Sequence, residues 1–161
     1  MRRFKAMGPV AVTALAAVLA CAPLAQAASP DRDPSPRGGA EKVIKLDDFV
    51  KEFSSIDVGA PGLSRGDETV GFSKLSQNGQ SVGTGGFVCT VVSLKKQLQQ
   101  CESTLRLTRG DITLQGFAHI NPTKFTLAIT GGTGAYREAR GYMDGTNVAE
   151  GHNKLTVHLS K

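Results

Sequence analysis

The segment LAITGGTGAYREARG, Leu127 to Gly141, decides the fold class of this sequence. Just before and inside it, Phe125, Leu127 and Ile129 alternate with small or polar residues, which is the period of a strand with one buried face. The GGTG run at 131–134 partly matches a phosphate-binding loop, but it lacks the Lys and Ser/Thr of that motif and precedes a strand pattern rather than a helix. We therefore predict a tight glycine turn between two strands.

The same alternation continues in both directions from this segment. From Lys42 onward, runs rich in Val, Ile, Leu, Phe and Thr are separated by turn residues about every 8–12 residues, and no sustained helical period appears. Asn78-Gly79 predicts a type I′ hairpin, and Gly110-Asp111 predicts another reversal. This spacing indicates an all-β sandwich or barrel, and about eight strands are enough to close an eight-stranded antiparallel β-barrel whose interior holds one ligand. The predicted strands are 43–53, 67–76, 80–92, 98–108, 111–119, 124–130, 136–147 and 153–159.

The first 27 residues have the composition of an export signal. Arg2, Arg3 and Lys5 precede an apolar run, 10–20, that is too short to span a bilayer, and Ala25-Gln26-Ala27 fits a signal-peptidase site. The alternative is a lipoprotein in which Cys21 is acylated. We predict a signal peptide at 1–27, a flexible Pro- and Gly-rich leader at 28–41, and one β-barrel domain at 42–161, in a secreted, extracellular protein without a membrane span.

The charge of the chain argues against a nucleic-acid partner. Its formal net charge of +5 falls to +2 once residues 1–27, with three basic and no acidic residues, are removed. The remaining Lys and Arg are scattered among acids, without the basic and aromatic stripe that nucleic-acid binding requires. We interpret them as a solvated surface.

Two cysteines, Cys89 and Cys101, remain after the predicted cleavage. They lie on either side of a predicted turn, and each falls on the more apolar face of its strand, so both point the same way. Because an oxidising compartment favours pairing, we predict a structural disulfide between them. The alternative is a reactive or metal-binding thiol, but no His or carboxylate lies at ligand spacing, and no metal or other cofactor is predicted.

Several segments resemble the allene oxide cyclase and dirigent barrels. Leu127 to Gly141 is similar to their glycine signature, and Thr113 to Gly132 resembles the cyclase pattern of a strand that ends in Gln-Gly, a loop and a second strand. GTGGFVCTVV, at 83–92, resembles the cyclase strand that carries a cysteine, and GDE, at 66–68, fits the strand before it. The resemblance covers about residues 50–145, and it implies the same barrel and a homotrimer.

The resemblance also implies a site. It places Glu52 where the cyclases have a cavity glutamate that steers charge on the substrate, and Pro61 where a carbonyl holds a bound water; Ser54 stands in place of an asparagine. The alternative for Glu52 is a surface position near the end of a strand. The other residues that we expect to line the cavity are Phe87, Cys89, Phe117 and Tyr142. Arg137 and Arg140 either join them or lie on the surface.

Three functions are compatible with this pattern. The first is a secreted barrel that binds a small, mostly apolar molecule and steers its cyclisation or isomerisation, as an isomerase-like or cyclase-like enzyme. The second is a dirigent-like protein that orients a reactive intermediate without breaking bonds. The third is a structural secreted barrel whose interior is filled with side chains.

Overall fold

The structure is a computed structural model that describes residues 42–160. The predicted signal peptide, the predicted leader and Cys21 lie outside the described residues. Eight strands and one short helix make up the domain: β1 Lys42–Ile56, β2 Glu68–Gln77, β3 Gln80–Ser93, β4 Leu98–Leu107, β5 Gly110–His119, β6 Lys124–Gly132, the 3-10 helix Gly134–Tyr136, β7 Arg140–Ala149 and β8 His152–Ser160. In the described part of the chain, no helix has the length and apolar character needed to cross a membrane.

The strands form one closed antiparallel barrel in chain order. Each strand pairs with the next, and β1 closes the barrel by pairing with β8. The hairpin between β2 and β3 turns at Asn78 and Gly79, whose φ angles of 52° and 78° are those of a type I′ turn. The predicted fold class and this turn are therefore confirmed.

Alternation along the strands divides the side chains between the lumen and the outer surface. The lumen near the ends of β2, β4, β6 and β8 is filled by apolar side chains, and Tyr136 and Ala139 pack against this core from the connection between β6 and β7. The side chains with almost no exposure are Leu75, Leu105, Ile112, Leu114, Met143 and Val157. The opposite half of the lumen is left for a cavity.

The predicted strand 136–147 begins too early. The structure has a 3-10 helix at Gly134–Tyr136, and β7 begins only at Arg140. Tyr136 is buried, and it can reach the core because the chain turns inward after the glycine motif before it enters the strand. Burying this aromatic side chain outweighs the alternating pattern that suggested a longer strand.

A β-bulge in β1 determines which side chains enter the lumen. Val50 pairs with Ser73, but the next pair is Glu52 with Phe72, so Lys51 is the extra residue. One extra residue moves every following side chain to the other face of the strand. Glu52 therefore lies on the outer face, and Phe53 turns toward the lumen.

Candidate functional site

The open half of the lumen contains a cavity of about 790 Å³. Its mouth lies at the end of the barrel where β1, β3, β5 and β7 end, and Phe53, Pro122 and Gly151 contribute to the rim. Most of the wall is apolar, with Val50, Phe87, Leu105, Phe125, Leu127, Met143 and Leu155 among the lining residues. A volume of this size accommodates one small organic molecule.

A buried polar cluster lies in the wall of this cavity. Asp48 is only 8% exposed, and it accepts a hydrogen bond of 2.9 Å from the side-chain amide of Asn153, its cross-strand neighbour in β8. Ser73, on β2, is also buried and lines the same cavity. A carboxylate, an amide and a hydroxyl therefore face a cavity whose wall is mostly apolar, an arrangement that orients a ligand by its polar group.

Gly85 keeps this cluster open to the cavity. A Cβ atom at this position would lie 2.5 Å from the Ser73 hydroxyl oxygen and 3.7 Å from a carboxylate oxygen of Asp48. Any larger residue would therefore cover or displace the polar groups. The absence of a side chain at Gly85 is what exposes Asp48 to a ligand.

The predicted disulfide between Cys89 and Cys101 is present, and both cysteines line the cavity. The two residues are direct cross-strand partners in β3 and β4, and both side chains point inward. Phe87, two residues before Cys89, lines the cavity as well. The bond is therefore part of the cavity wall as well as a link between two strands.

The other residues expected in the cavity lie elsewhere. Glu52 and Ser54 are exposed and belong to the outer face of β1, because the bulge at Lys51 has turned them outward. Phe117 is 61% exposed and does not line the cavity. Tyr142 is on the outer face of β7, where it stacks on His158 with ring centroids 4.4 Å apart. Arg137 and Arg140 are also exposed.

Pro61 is an exposed residue of the connection 57–67 between β1 and β2. Asp67 holds this connection in place: its carboxylate accepts hydrogen bonds from the backbone N–H groups of Val58, at 3.0 Å, and Ser64, at 2.6 Å. These backbone donors stabilise the ionised carboxylate and lower the pKa of Asp67 below its ordinary value. Pro61 does not line the cavity.

The Asp67 hydrogen bonds make the connection sensitive to acid. A carboxyl group whose pKa is lowered on folding stabilises the native state above its unfolded pKa, about 4, and this stability is lost as the pH falls through the lower native value. We expect Asp67→Asn to destabilise the protein at neutral pH and to make its stability less dependent on pH below about 4. Urea unfolding at neutral and acidic pH measures both effects.

Asp57→Asn is the matched control, since Asp57 lies in the same connection but accepts one hydrogen bond, from the exposed Gly62 N–H at 3.0 Å. This variant should change the unfolding free energy less than Asp67→Asn does. Equal acid dependence in the wild type and Asp67→Asn would show that Asp67 does not hold the connection.

Two further clusters of polar side chains lie on the outer surface. His152 contacts Asp47 at 3.0 Å and stacks on Phe49, and His158 lies 3.6 Å from Asp144. Among residues 42–160, no group of three or more His, Cys, Asp and Glu side chains could hold a metal ion. These histidines therefore form surface contacts across neighbouring strands.

Asp48 and Asn153 were not predicted as cavity residues from the sequence. A polar residue inside a strand is usually assigned to the wet face, and Asn153 was placed at a strand end. One signal was available: Asp47 and Asp48 are adjacent in a strand, so their side chains must point to opposite faces. One of the two had to enter the lumen.

Comparison with known proteins agrees with this architecture. The model of the allene oxide cyclase barrel like domain matches residues 45–159. A solved pyocyanin demethylase is similar at 30% identity and a TM-score of 0.68, over 74% of this chain and 100% of that chain. An exo-specific intermolecular Diels-Alderase is similar at 15% identity and a TM-score of 0.61, over 75% and 98% of the two chains. No curated protein matches.

A pterocarpan synthase dirigent protein also has this architecture, at 19% identity and a TM-score of 0.56, over 86% of this chain and 96% of that chain. At identities this low, the dirigent protein and the Diels-Alderase share the fold alone. The family match, in contrast, includes all but the ends of the barrel described above. The chain therefore belongs to the family of the allene oxide cyclase barrel like domain.

Proposed function

We propose that this protein binds one small, mostly apolar organic molecule inside the barrel and steers its rearrangement. The observation that carries the proposal is the cavity of about 790 Å³, with an apolar wall and one buried polar cluster at Asp48, Asn153 and Ser73. The apolar wall gains free energy by excluding water, and the polar cluster fixes which end of the molecule enters first. An unfilled lumen argues against a purely structural barrel.

The steering role rests on orientation rather than on a strong nucleophile. A molecule held in one conformation reacts faster and gives one product, because the entropy of orientation is lost on binding. Asp48 can accept a hydrogen bond or a proton from the polar group of the ligand. The related barrels are named for demethylation, cycloaddition and a dirigent reaction, so an isomerase-like or cyclase-like role is one of several that this scaffold supports.

We further propose that the protein is secreted. The disulfide between Cys89 and Cys101 supports folding in an oxidising compartment, and the composition of residues 1–27 supports export. The homotrimer stays a prediction from the resemblance.

The position of the ligand is tested by filling the lumen. Ser103 faces the cavity, whereas Thr104, the next residue of β4, faces the outer surface. The wild type, Ser103→Trp and Thr104→Trp are incubated with pyocyanin, geraniol, oleate and coniferyl alcohol, and complexes are counted by native mass spectrometry. We expect at least one compound to bind once per barrel, and Ser103→Trp to weaken this binding by about tenfold, since overpacking costs about 1–3 kcal/mol.

Thr104→Trp is the control and should bind like the wild type. Liquid chromatography of the same mixtures with mass detection shows whether a bound compound is converted. Failure of all four compounds to bind, or equal binding by both tryptophan variants, would contradict a ligand site in the lumen.

A further inference from the structure

The buried carboxylate of Asp48 in the cavity wall has no cation beside it. Asp48 is buried, and no Lys, Arg or His of residues 42–160 lies within 4.0 Å of its carboxylate. Lys51 lies at the rim, but its ammonium group is placed over the outward-facing ring of Phe49, 5.6 Å from the ring centre. A buried carboxylate with only neutral partners is costly, and a ligand that brings positive charge reduces this cost.

Aromatic side chains line the same cavity on opposite walls. Phe87 is on β3 and Phe125 is on β6, and their cross-strand neighbours are Gly71 on β2 and Gly145 on β7. In a closed barrel of eight strands, β3 and β7 are four strands apart, and so are β2 and β6. Each Phe–Gly pair therefore faces the other pair across the lumen.

The glycines let the rings lie along the wall. A Cβ at Gly145 would be 2.1 Å from Cζ of Phe125 and 2.5 Å from both Cε atoms. These distances place the Cβ over the face of the ring at Cζ, and not in the plane of the ring beyond Cζ. One face of Phe125 thus covers Gly145, which leaves the other face toward the lumen. At Gly71, a Cβ would be 2.4 Å from Cε1 and Cζ of Phe87, so this ring lies against the glycine with its edge.

A third aromatic side chain stands at the entrance. Phe53 turns inward after the bulge at Lys51 and lines the cavity, yet it is 61% exposed. A ligand that enters the barrel therefore passes one exposed ring before it reaches the two rings on the walls. Aromatic faces attract cations and stack on other aromatic rings.

We propose that the ligand of this cavity is an aromatic cation. Its positive charge lies next to Asp48, and its ring system lies between the aromatic walls formed by Phe87 and Phe125. This inference rests on the proposed function only in requiring that the lumen binds a ligand, and it adds the chemical class of that ligand. A neutral apolar molecule uses the wall but leaves the carboxylate uncompensated.

The test uses three probes that separate charge from aromaticity. N-methylquinolinium and methylnaphthalene have nearly the same shape but differ in charge, and cyclohexyltrimethylammonium has the charge without an aromatic ring. Their affinities for the wild-type protein are measured by calorimetric titration. We expect N-methylquinolinium to bind about tenfold more tightly than either of the other probes, because only this probe combines a positive charge that the Asp48 carboxylate attracts with a ring that stacks on the aromatic walls.

Two variants test whether Asp48 causes the preference for N-methylquinolinium. Asp48→Asn keeps the shape of the side chain and should remove the preference for N-methylquinolinium over methylnaphthalene. Asp47→Asn changes the neighbouring, outward-facing carboxylate and should keep it. If the wild type prefers methylnaphthalene, the inference is overturned without any variant. If the preference for N-methylquinolinium remains in Asp48→Asn, the inference is overturned as well.

The result is distinguishable from failure of the proposed function. If geraniol or oleate binds, Ser103→Trp abolishes this binding and N-methylquinolinium does not bind, then the lumen is a ligand site but the aromatic cation is the wrong class of ligand. Equal affinity for N-methylquinolinium and cyclohexyltrimethylammonium shows that charge alone is recognised, which also overturns the aromatic class.

Discussion

Replacement of both Cys89 and Cys101 by alanine is expected to lower the free energy of unfolding by about 3 kcal/mol, because the disulfide restricts the unfolded chain around the connection between β3 and β4. For a domain of this size, the melting temperature should fall by about 10 °C. Thermal unfolding followed by circular dichroism measures the change. The wall of the cavity should loosen as well, since both cysteines line it.

A reducing agent provides the matched control. It should destabilise the wild type by a similar amount and leave the double alanine variant unchanged, because that variant has no bond to break. If the two proteins unfold at the same temperature under oxidising conditions, the disulfide contributes nothing to stability.

Gly145→Ala is expected to keep the barrel folded but to weaken ligand binding by about tenfold, by an overpacking cost of about 1–3 kcal/mol. The new methyl group would overlap the ring of Phe125, whose Cζ lies 2.1 Å from the position of the Cβ atom. The ring is the free end of a side chain, so it turns away from the wall and into the lumen. Calorimetric titration with geraniol and N-methylquinolinium measures how far the affinity falls when the Phe125 ring occupies part of the cavity.

Two comparisons isolate this cause. The double variant Gly145→Ala with Phe125→Ala removes the displaced ring and should recover room for the ligand. Gly86→Ala adds a methyl group that would meet only the backbone oxygen of Gly71, at 3.9 Å, and should bind like the wild type. Weak binding that persists in the double variant would place the defect in the backbone of β7 instead of in the ring.

Much of this fold could be predicted because the alternation of the strands is local information. The inward faces of β4, β6 and β8 follow directly from the period of two, as Leu105, Leu127 and Leu155 illustrate. The hairpin at Asn78-Gly79 required only a dipeptide that adopts positive φ. The predicted start of strand 136–147 was wrong because Tyr136 packs against the core, a tertiary contact that its neighbours in sequence do not reveal.

The cavity residues were harder to predict because one bulge residue, Lys51, determines which side chains of β1 point into the lumen. With Asp48 and Val50 in the lumen, an unbroken strand would also turn Glu52 inward, and the bulge at Lys51 reverses this. Neither hydrophobicity nor turn chemistry marks a bulge at this position. Gly71 and Gly145 are likewise uninformative in sequence, since their role depends on the rings that lie across the neighbouring strands.

The pairing of the first and last strands sets how the domain responds to force. Lys42 pairs with Leu159, so both ends of the described chain meet at one end of the barrel, and the cavity opens at the other. A pull on the two ends would load the antiparallel ladder of β1 and β8 one residue pair at a time, as a zipper opens, instead of shearing many hydrogen bonds together. A partner protein or a solid support attached at either end would leave the mouth of the barrel clear.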